Sequence, residues 1–213
     1  MRTPWLSLLS TTLLAIALGT GCAPAEESKD TSPGGEIAQN DGVDNELRTA
    51  SDAAIMGKLR GILKDVTFTS ESDYPYVVFE GEAVPAGTKR LGTTLVRQKL
   101  AAAVKANSDE RRDILPTKVR AVRLNVSSAI AEGDAAVVPA DPNADEYLYA
   151  RHDKQLGIAL KTMRASLKGV VGFTFGTNES GDQDEFGTVH YVYVGISKTT
   201  GKLIAIMTQA VYT

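Results

Sequence analysis

The sequence predicts an α+β domain of layered helices and strands, on three observations. Apolar positions recur at helical spacing in three separate stretches, the longest between residues 151 and 168. The closing part, from Val170 onward, is instead rich in strand-like runs. Two of those runs are joined by Ser197-Lys198-Thr199-Thr200-Gly201-Lys202, whose glycine suits a hairpin loop and hence antiparallel pairing. Helices interleaved with a hairpin-rich end argue against a doubly wound nucleotide-binding sheet.

Taken in order, Ala54, Ile55, Leu59, Ile62 and Leu63 predict a short amphipathic helix from about Ala50 to Leu63, with Ser51 or Asp52 as its N-cap. The Tyr74-Pro75 step fixes an extended backbone, so Tyr76 to Glu80, carrying Val77, Val78 and Phe79, is expected as a buried strand. Residues 93 to 106 return to helical spacing through Leu95, Leu100, Val104 and an alanine run. Val119, Ala121, Val122 and Leu124, after Pro116, suggest another strand, and Asp141 to Asp145 reads as a polar loop. Leu156, Ala159, Leu160, Met163 and Leu167 form an apolar stripe over residues 151 to 168, with lysine and arginine on the other faces. Three strands are expected to close the chain: Val170 to Phe175, Thr188 to Ile196 and Leu203 to Tyr212.

Ahead of this body lies a different kind of sequence. Arg2, the apolar run Leu6 to Leu18 and the small residues Gly19-Thr20-Gly21 have the layout of a secretory signal, too short to span a bilayer. The stretch ends on Cys22, the only cysteine of the chain. Leu18-Gly19-Thr20-Gly21-Cys22 resembles the lipobox of bacterial lipoproteins, which implies cleavage before Cys22 and lipidation of its thiol. Several acyl chains give stable anchoring where one is marginal. Ala23 after the cysteine suits sorting to the outer membrane of a Gram-negative envelope. Residues 23 to 46 hold Glu26, Glu27, Asp30, Glu36, Asp41, Asp44 and Glu46 against the single base Lys29. With almost no large apolar residue, this stretch reads as disordered linker, with a coil-like reach of roughly 25 to 30 Å. The expected organisation is therefore a signal over residues 1–21, an acidic tether over 22–48 and one domain over 49–213.

Segmental charge and cysteine usage exclude several chemistries. With Cys22 lipidated, the body has no thiol for a disulfide, a nucleophile or a zinc site. Residues 47 to 213 hold nineteen acids and twenty-one bases without a dense basic run, so direct nucleic-acid binding is not expected. A nucleophile elbow, a phosphate-binding glycine loop and a helical zinc-protease motif are absent from the sequence, so neither an enzyme nor a bound cofactor is expected. Of the two histidines, His152 falls near the start of the longest helix. His190 lies in Thr188-Val189-His190-Tyr191-Val192-Tyr193, where alternation sets it opposite Val189 and Tyr191, on an expected solvent face. Asp182-Gln183-Asp184-Glu185 lacks calcium-loop spacing and is expected as a solvated hairpin loop, and no metal site is assigned. Asn125-Val126-Ser127 and Asn178-Glu179-Ser180 fit a glycosylation sequon but carry no weight in a bacterial export context.

Two places carry more. Ser70-Glu71-Ser72-Asp73-Tyr74-Pro75 concentrates acids and hydroxyls just before a strand, where a rigid neighbour could present carboxylate oxygens to a partner, or where they simply form a turn. At the other end, the strand Leu203 to Tyr212 runs almost to Thr213, whose hydroxyl and α-carboxylate should be held rather than frayed.

Thr69-Ser70-Glu71-Ser72-Asp73-Tyr74-Pro75, followed by Val77-Val78-Phe79-Glu80, resembles the hallmark of the nuclease A inhibitor family. Tyr193-Val194-Gly195, Thr200-Gly201-Lys202-Leu203, Ala205-Ile206, Thr208, Val211 and Thr213 follow that family's closing hairpin in order, and Arg164-Ala165-Ser166-Leu167-Lys168 fits its helix end. The resemblance covers residues 50 to 213, densely at both ends and thinly between. It implies a three-layer α/β/α sandwich with a mainly antiparallel sheet. It also implies a protein inhibitor that blocks a secreted or periplasmic, sugar-non-specific nuclease of the metal-dependent ββα type. Glu71 and Thr213 are by resemblance the residues that approach the nuclease's catalytic Mg²⁺ through its water shell, with Ser70, Ser72, Asp73 and Tyr74 beside them. A hard cation that keeps its waters accepts such oxygen donors in place of a phosphate.

This chain departs from the family at three points. Its body is near neutral where the family's is acidic. The only tryptophan is Trp5, so Tyr147 or Tyr149 stands where the family has an indole before the long helix. Residues Asn178 to Glu185 look like an insertion. An envelope-tethered binding module of the same fold, with a non-nuclease protein partner, is the alternative reading.

Overall fold

The computed structural model describes residues 50–68, 70, 73–107, 114, 120–176 and 187–212. The expected signal over residues 1–21, Cys22, the expected tether over 22–48, Glu71, Ser72, Asp182 to Glu185 and Thr213 lie outside the described residues.

Among the described residues four helices, α1 (Asp52–Ile62), α2 (Thr93–Asn107), α3 (Val126–Ala135) and α4 (Tyr147–Ser166), flank seven strands. The strands are β1 (Thr67–Phe68), β2 (Tyr74–Pro75), β3 (Val77–Ala83), β4 (Ala121–Leu124), β5 (Leu167–Gly176), β6 (Gly187–Ser197) and β7 (Lys202–Tyr212). Strands β1 and β2 pair with each other, and the other five form one sheet in the order β3-β7-β6-β5-β4, every neighbour antiparallel. Strand β7 therefore sits between β3, which precedes it by more than a hundred residues, and its hairpin partner β6.

Side-chain alternation sends successive residues of the long strands to two separate cores. Val78, Val189, Tyr191, Tyr193, Ile204 and Ile206 pack with Ile55 and Leu59 of α1 and Leu156, Leu160 and Met163 of α4. On the other face, Phe79, Phe173, Phe175, Val192, Val194, Ala205 and Met207 pack with Val96, Leu100 and Val104 of α2. The sheet is thus the middle of three layers, as expected of an α+β sandwich. Both faces are covered, so β6 and β7 read in sequence as nearly continuous apolar runs.

His190 is fully buried, contrary to its expected place at solvent. Alternation correctly sets it opposite Tyr191, but that side of the sheet is the α2 side, where it pairs laterally with Phe175 and Gln209. Arg97 of α2 lies over the Phe175 ring at 4.9 Å and closes the same corner.

Local chemistry sets the helix boundaries. Ser51 caps α1 by accepting from the Ala54 amide at 3.3 Å. Helix α3 is absent from the expectation, and its start is Asn125 of the apparent sequon, whose Oδ1 accepts from the Ser127 and Ser128 amides at 3.0 and 3.2 Å. Helix α4 begins at Tyr147 rather than 151, and β5 follows it directly at Leu167 without a loop. Gly201 supplies the positive φ of 72° in the β6–β7 turn. Helices α3 and α4 cross at Gly133 and Gly157, where backbone meets backbone: a Cβ built on Gly133 would lie 2.5 Å from the Asp153 carbonyl oxygen and 2.7 Å from Gly157 Cα.

Candidate functional site

Strand β1 pairs with β2 in the register Thr67↔Pro75 and Phe68↔Tyr74. The two strands form a small antiparallel ribbon, and the described residues Ser70 and Asp73 lie between them in the chain. Pro75 fits there because a two-strand ribbon has an outer edge that needs no amide donor.

Two hydrogen bonds fasten the hairpin to the last strand of the main sheet. The Val211 amide donates to Ser70 Oγ at 3.2 Å, and Thr208 Oγ1 donates to the Tyr74 carbonyl at 3.0 Å. Segments far apart in the chain, Ser70 to Tyr74 and Thr208 to Val211, thus become neighbours. Of the expected site residues, Ser70 and Tyr74 are half-buried and Asp73 is exposed. Glu71, Ser72 and Thr213 lie outside the described residues, each beside one that is described.

Beneath the hairpin sits an aromatic and histidine cluster for which the sequence carries no motif. Phe68 stacks on Tyr191 with ring centroids 4.7 Å apart and meets the His152 ring edge-on at 5.2 Å. His152 Nε2 lies 2.7 Å from the Tyr76 hydroxyl, and its Nδ1 lies 2.9 Å from Asp153 Oδ1. With the proton on Nδ1, the imidazole donates to Asp153 and accepts from Tyr76, which satisfies both ring nitrogens. One side chain of α4 therefore holds both flanks of the hairpin, Phe68 of β1 and Tyr76 just after β2. The missed signal is positional: His152 falls five residues into α4, on the stripe side beside Leu156 and Ala159.

Burial sets the ionisation of this support. Tyr76 is pushed well above its ordinary phenol range by desolvation, with the neighbouring Tyr193, Tyr191 and Asp153 adding. Tyr193 is pushed up to about 12, again mainly by burial, with Glu132 and Asp153 contributing. Both stay neutral hydroxyl donors far above neutral pH.

Two large side chains at the start of α4 reach the surface. At the start of α4, Leu148 and Tyr149 are 48% and 57% exposed. Leu148 also lines a small cleft with Asp65, Val66, Thr67, Arg151 and His152 under β1. Tyr149, one of the two expected substitutes for a tryptophan, is thus at the surface, while Tyr147 is half-buried.

Among the described residues no group of three or more histidine, cysteine or carboxylate side chains converges as a metal site. No described helix is long and apolar enough to cross a membrane. The arrangement can present the oxygens of Ser70 and Asp73 on a braced edge, with Leu148 and Tyr149 exposed at the start of α4. No model of a known protein family matches the chain, and no curated protein matches it either.

Proposed function

We propose that this protein is an inhibitor of an exported, sugar-non-specific metal-dependent nuclease, held at the cell envelope through lipidated Cys22 and acting by occlusion of the nuclease active site. The observation that carries the reading is the fastening of the Ser70 hairpin to the end of β7 by the Val211-to-Ser70 and Thr208-to-Tyr74 hydrogen bonds. The two segments that resemble the nuclease A inhibitor family are distant in sequence, and an inhibitory surface built from both needs them side by side. Glu71, which follows Ser70 in sequence, and Thr213, which follows β7, are the pair assigned by the resemblance to the metal's water shell. Ser70, Ser72, Asp73 and Tyr74 complete the contact, and Tyr149 with Leu148 offers the apolar anchor.

Rigidity also supports the reading. A hairpin braced by Phe68, Tyr191, His152 and Tyr76 holds its donors before the partner arrives, which lowers the ordering cost of association. Charge is compatible with it: the near-neutral total averages over the whole body, whereas Glu71 and Asp73 are two residues apart in sequence.

The test is titration of the protein into a panel of ββα-metal nucleases with DNA cleavage as readout. Inhibition by wild type is expected, with at least a tenfold loss, about 1.4 kcal/mol, for Glu71→Ala and for deletion of Thr213. If no nuclease of that type is inhibited, the function is wrong. If both variants inhibit as well as wild type, the site is wrong.

A second reading, a module that binds a different envelope protein, is favoured by the exposed Tyr149 and Leu148, which need no metal to be useful. Capture of exported proteins on the immobilised chain separates the two, since the first reading requires a nuclease among them.

A further inference from the structure

The sheet end opposite the Ser70 hairpin has a different character. The chain enters the domain there at Ala50, and the Asp52 carboxylate accepts hydroxyl hydrogen bonds from Ser197, Thr199 and Thr200 of the β6–β7 turn. Two open clefts flank the first residues of β5. One, of about 420 Å³, is lined by Lys89, Lys168 and Lys198 around Ser197 and Gly201. The other, of about 410 Å³, is lined by Arg123 and Arg164 beside Asn125 and Ser127.

Every ionisable side chain lining either cleft is cationic. Lys198 Nζ donates to the Ala165 carbonyl and Arg164 Nη2 to Ser127 Oγ, but among the described residues none of the five forms an ion pair. Of the acids at this end, Asp52 is 7% exposed and held by the turn hydroxyls, Glu80 is paired with Lys202, and the exposed Glu82 is paired with Lys99. A body almost balanced in charge therefore carries Lys89, Lys168, Lys198 and Arg164 without ion pairs around the start of β5, with Arg123 farther along the edge strand β4, opposite Phe173.

We propose that this end is a binding surface for the phosphates of anionic lipid headgroups. The proposal rests on the reading of Cys22 as lipidated, because the tether then keeps this end within roughly 25 to 30 Å of a bilayer. At such an effective concentration weak contacts suffice. Each lysine or arginine near an anionic surface contributes about 1 kcal/mol. A plane of headgroups reaches both clefts at once, whereas one soluble anion meets the two or three cations of a single cleft. The clefts are open and shallow, which suits groups presented on a surface. Docked this way, the domain turns its Ser70 hairpin and the end of β7 away from the membrane, toward proteins arriving from outside.

The experiment uses the chain from Ala23, without signal or lipid, since both cores are built from residues between Ala50 and Ala210. Its co-sedimentation is measured with phosphatidylcholine vesicles and with vesicles in which about a third of the lipid is phosphatidylglycerol. Binding is expected to the anionic vesicles alone and to fade as salt rises toward about 0.5 M. The variant Lys89→Gln/Lys168→Gln/Lys198→Gln should lose on the order of 100-fold in partition, Arg123→Gln/Arg164→Gln about 30-fold and Lys58→Gln no more than about twofold. The acids of the tether lower every variant's binding alike, and circular dichroism checks that each is folded.

Equal binding to both vesicle types, equal binding by wild type and the triple variant, or no binding to anionic vesicles overturns the proposal. So does displacement by millimolar inorganic phosphate at constant ionic strength, which assigns the clefts to a free anion. Incorporation of labelled palmitate at Cys22 in cells tests the lipoprotein reading separately, and cleavage assays in solution test the inhibitory one, so each can fail alone.

Discussion

Replacing Gly133 by alanine tests the backbone contact between α3 and α4. The new Cβ would stand 2.5 Å from the Asp153 carbonyl oxygen, 2.7 Å from Gly157 Cα and 3.1 Å from Gly157 N, all of them backbone atoms that no rotamer change can move. Carbon atoms pack at about 3.5 Å or more, so α3 must retreat by roughly 0.8 Å, enough to forfeit a quarter to a half of each contact it leaves. Overpacking of this kind costs about 1–3 kcal/mol. Alanine's better helix propensity returns up to about 1 kcal/mol. A net loss of about 1–2 kcal/mol is expected, which for a domain of this size lowers Tm by roughly 2–8 °C.

The control is Gly57→Ala in α1, where a Cβ meets nothing within 4 Å. That exchange should stabilise by about 0.5–1 kcal/mol and raise Tm. Thermal unfolding of both variants followed by circular dichroism decides the matter. A Tm for Gly133→Ala that rises with that of Gly57→Ala would refute the close crossing, and with it the place of α3 in the outer layer.

Three further outcomes follow from the described contacts. Asp52→Ala leaves the buried Ser197 hydroxyl and those of Thr199 and Thr200 without their acceptor, and should cost about 1–3 kcal/mol in urea unfolding; an unchanged midpoint would show that the hydroxyls re-pair within the turn. The raised ionisation of Tyr193 and Tyr76 makes stability level below about pH 10, the phenol's ordinary value, because both states are then protonated. Above it the unfolded chain loses protons that the folded one keeps, so stability falls as pH climbs through about 12, and 295 nm absorbance should show two of the seven tyrosines ionising only with unfolding. Thr208→Val removes the donor to the Tyr74 carbonyl and should weaken nuclease inhibition about three- to tenfold with a Tm loss of only a few degrees; full inhibition by this variant would mean the hairpin is held without it.

The long elements were legible because period and length agree over them. Helix α4 shows Leu156, Ala159, Leu160 and Met163 on one stripe, and β7 runs from Lys202 to Tyr212 much as Leu203 to Tyr212 implied. Helix α3 was not, because Val126-Ser127-Ser128-Ala129-Ile130-Ala131 has too little apolar periodicity to stand out and its interface with α4 depends on the absence of a side chain at Gly133. The placing of His190 failed for a related reason: alternation tells two faces apart but not which is dry, and here both are. At the candidate site, the hairpin residues stood out through their clustered acids and hydroxyls. The His152 brace did not, since its partners Phe68 and Tyr76 come from different segments, with Tyr191 of β6 stacked in turn on Phe68, and only the tertiary fold brings them together.

The central place of β7 bears on how the molecule is made. Strand β3 has β7 as its hydrogen-bonded neighbour in the main sheet, and β6 needs β7 on its other side, so ribosome-bound or half-translocated chains that lack residues 202–212 hold strands with nothing to close them. Pairings of such high sequence separation form late. If the N-terminal segment is the secretory signal proposed above, that delay would keep the chain unfolded and threadable while it crosses a translocon. The β1–β2 ribbon, hydrogen-bonded to Thr208 and Val211, takes its place only once β7 is in the sheet.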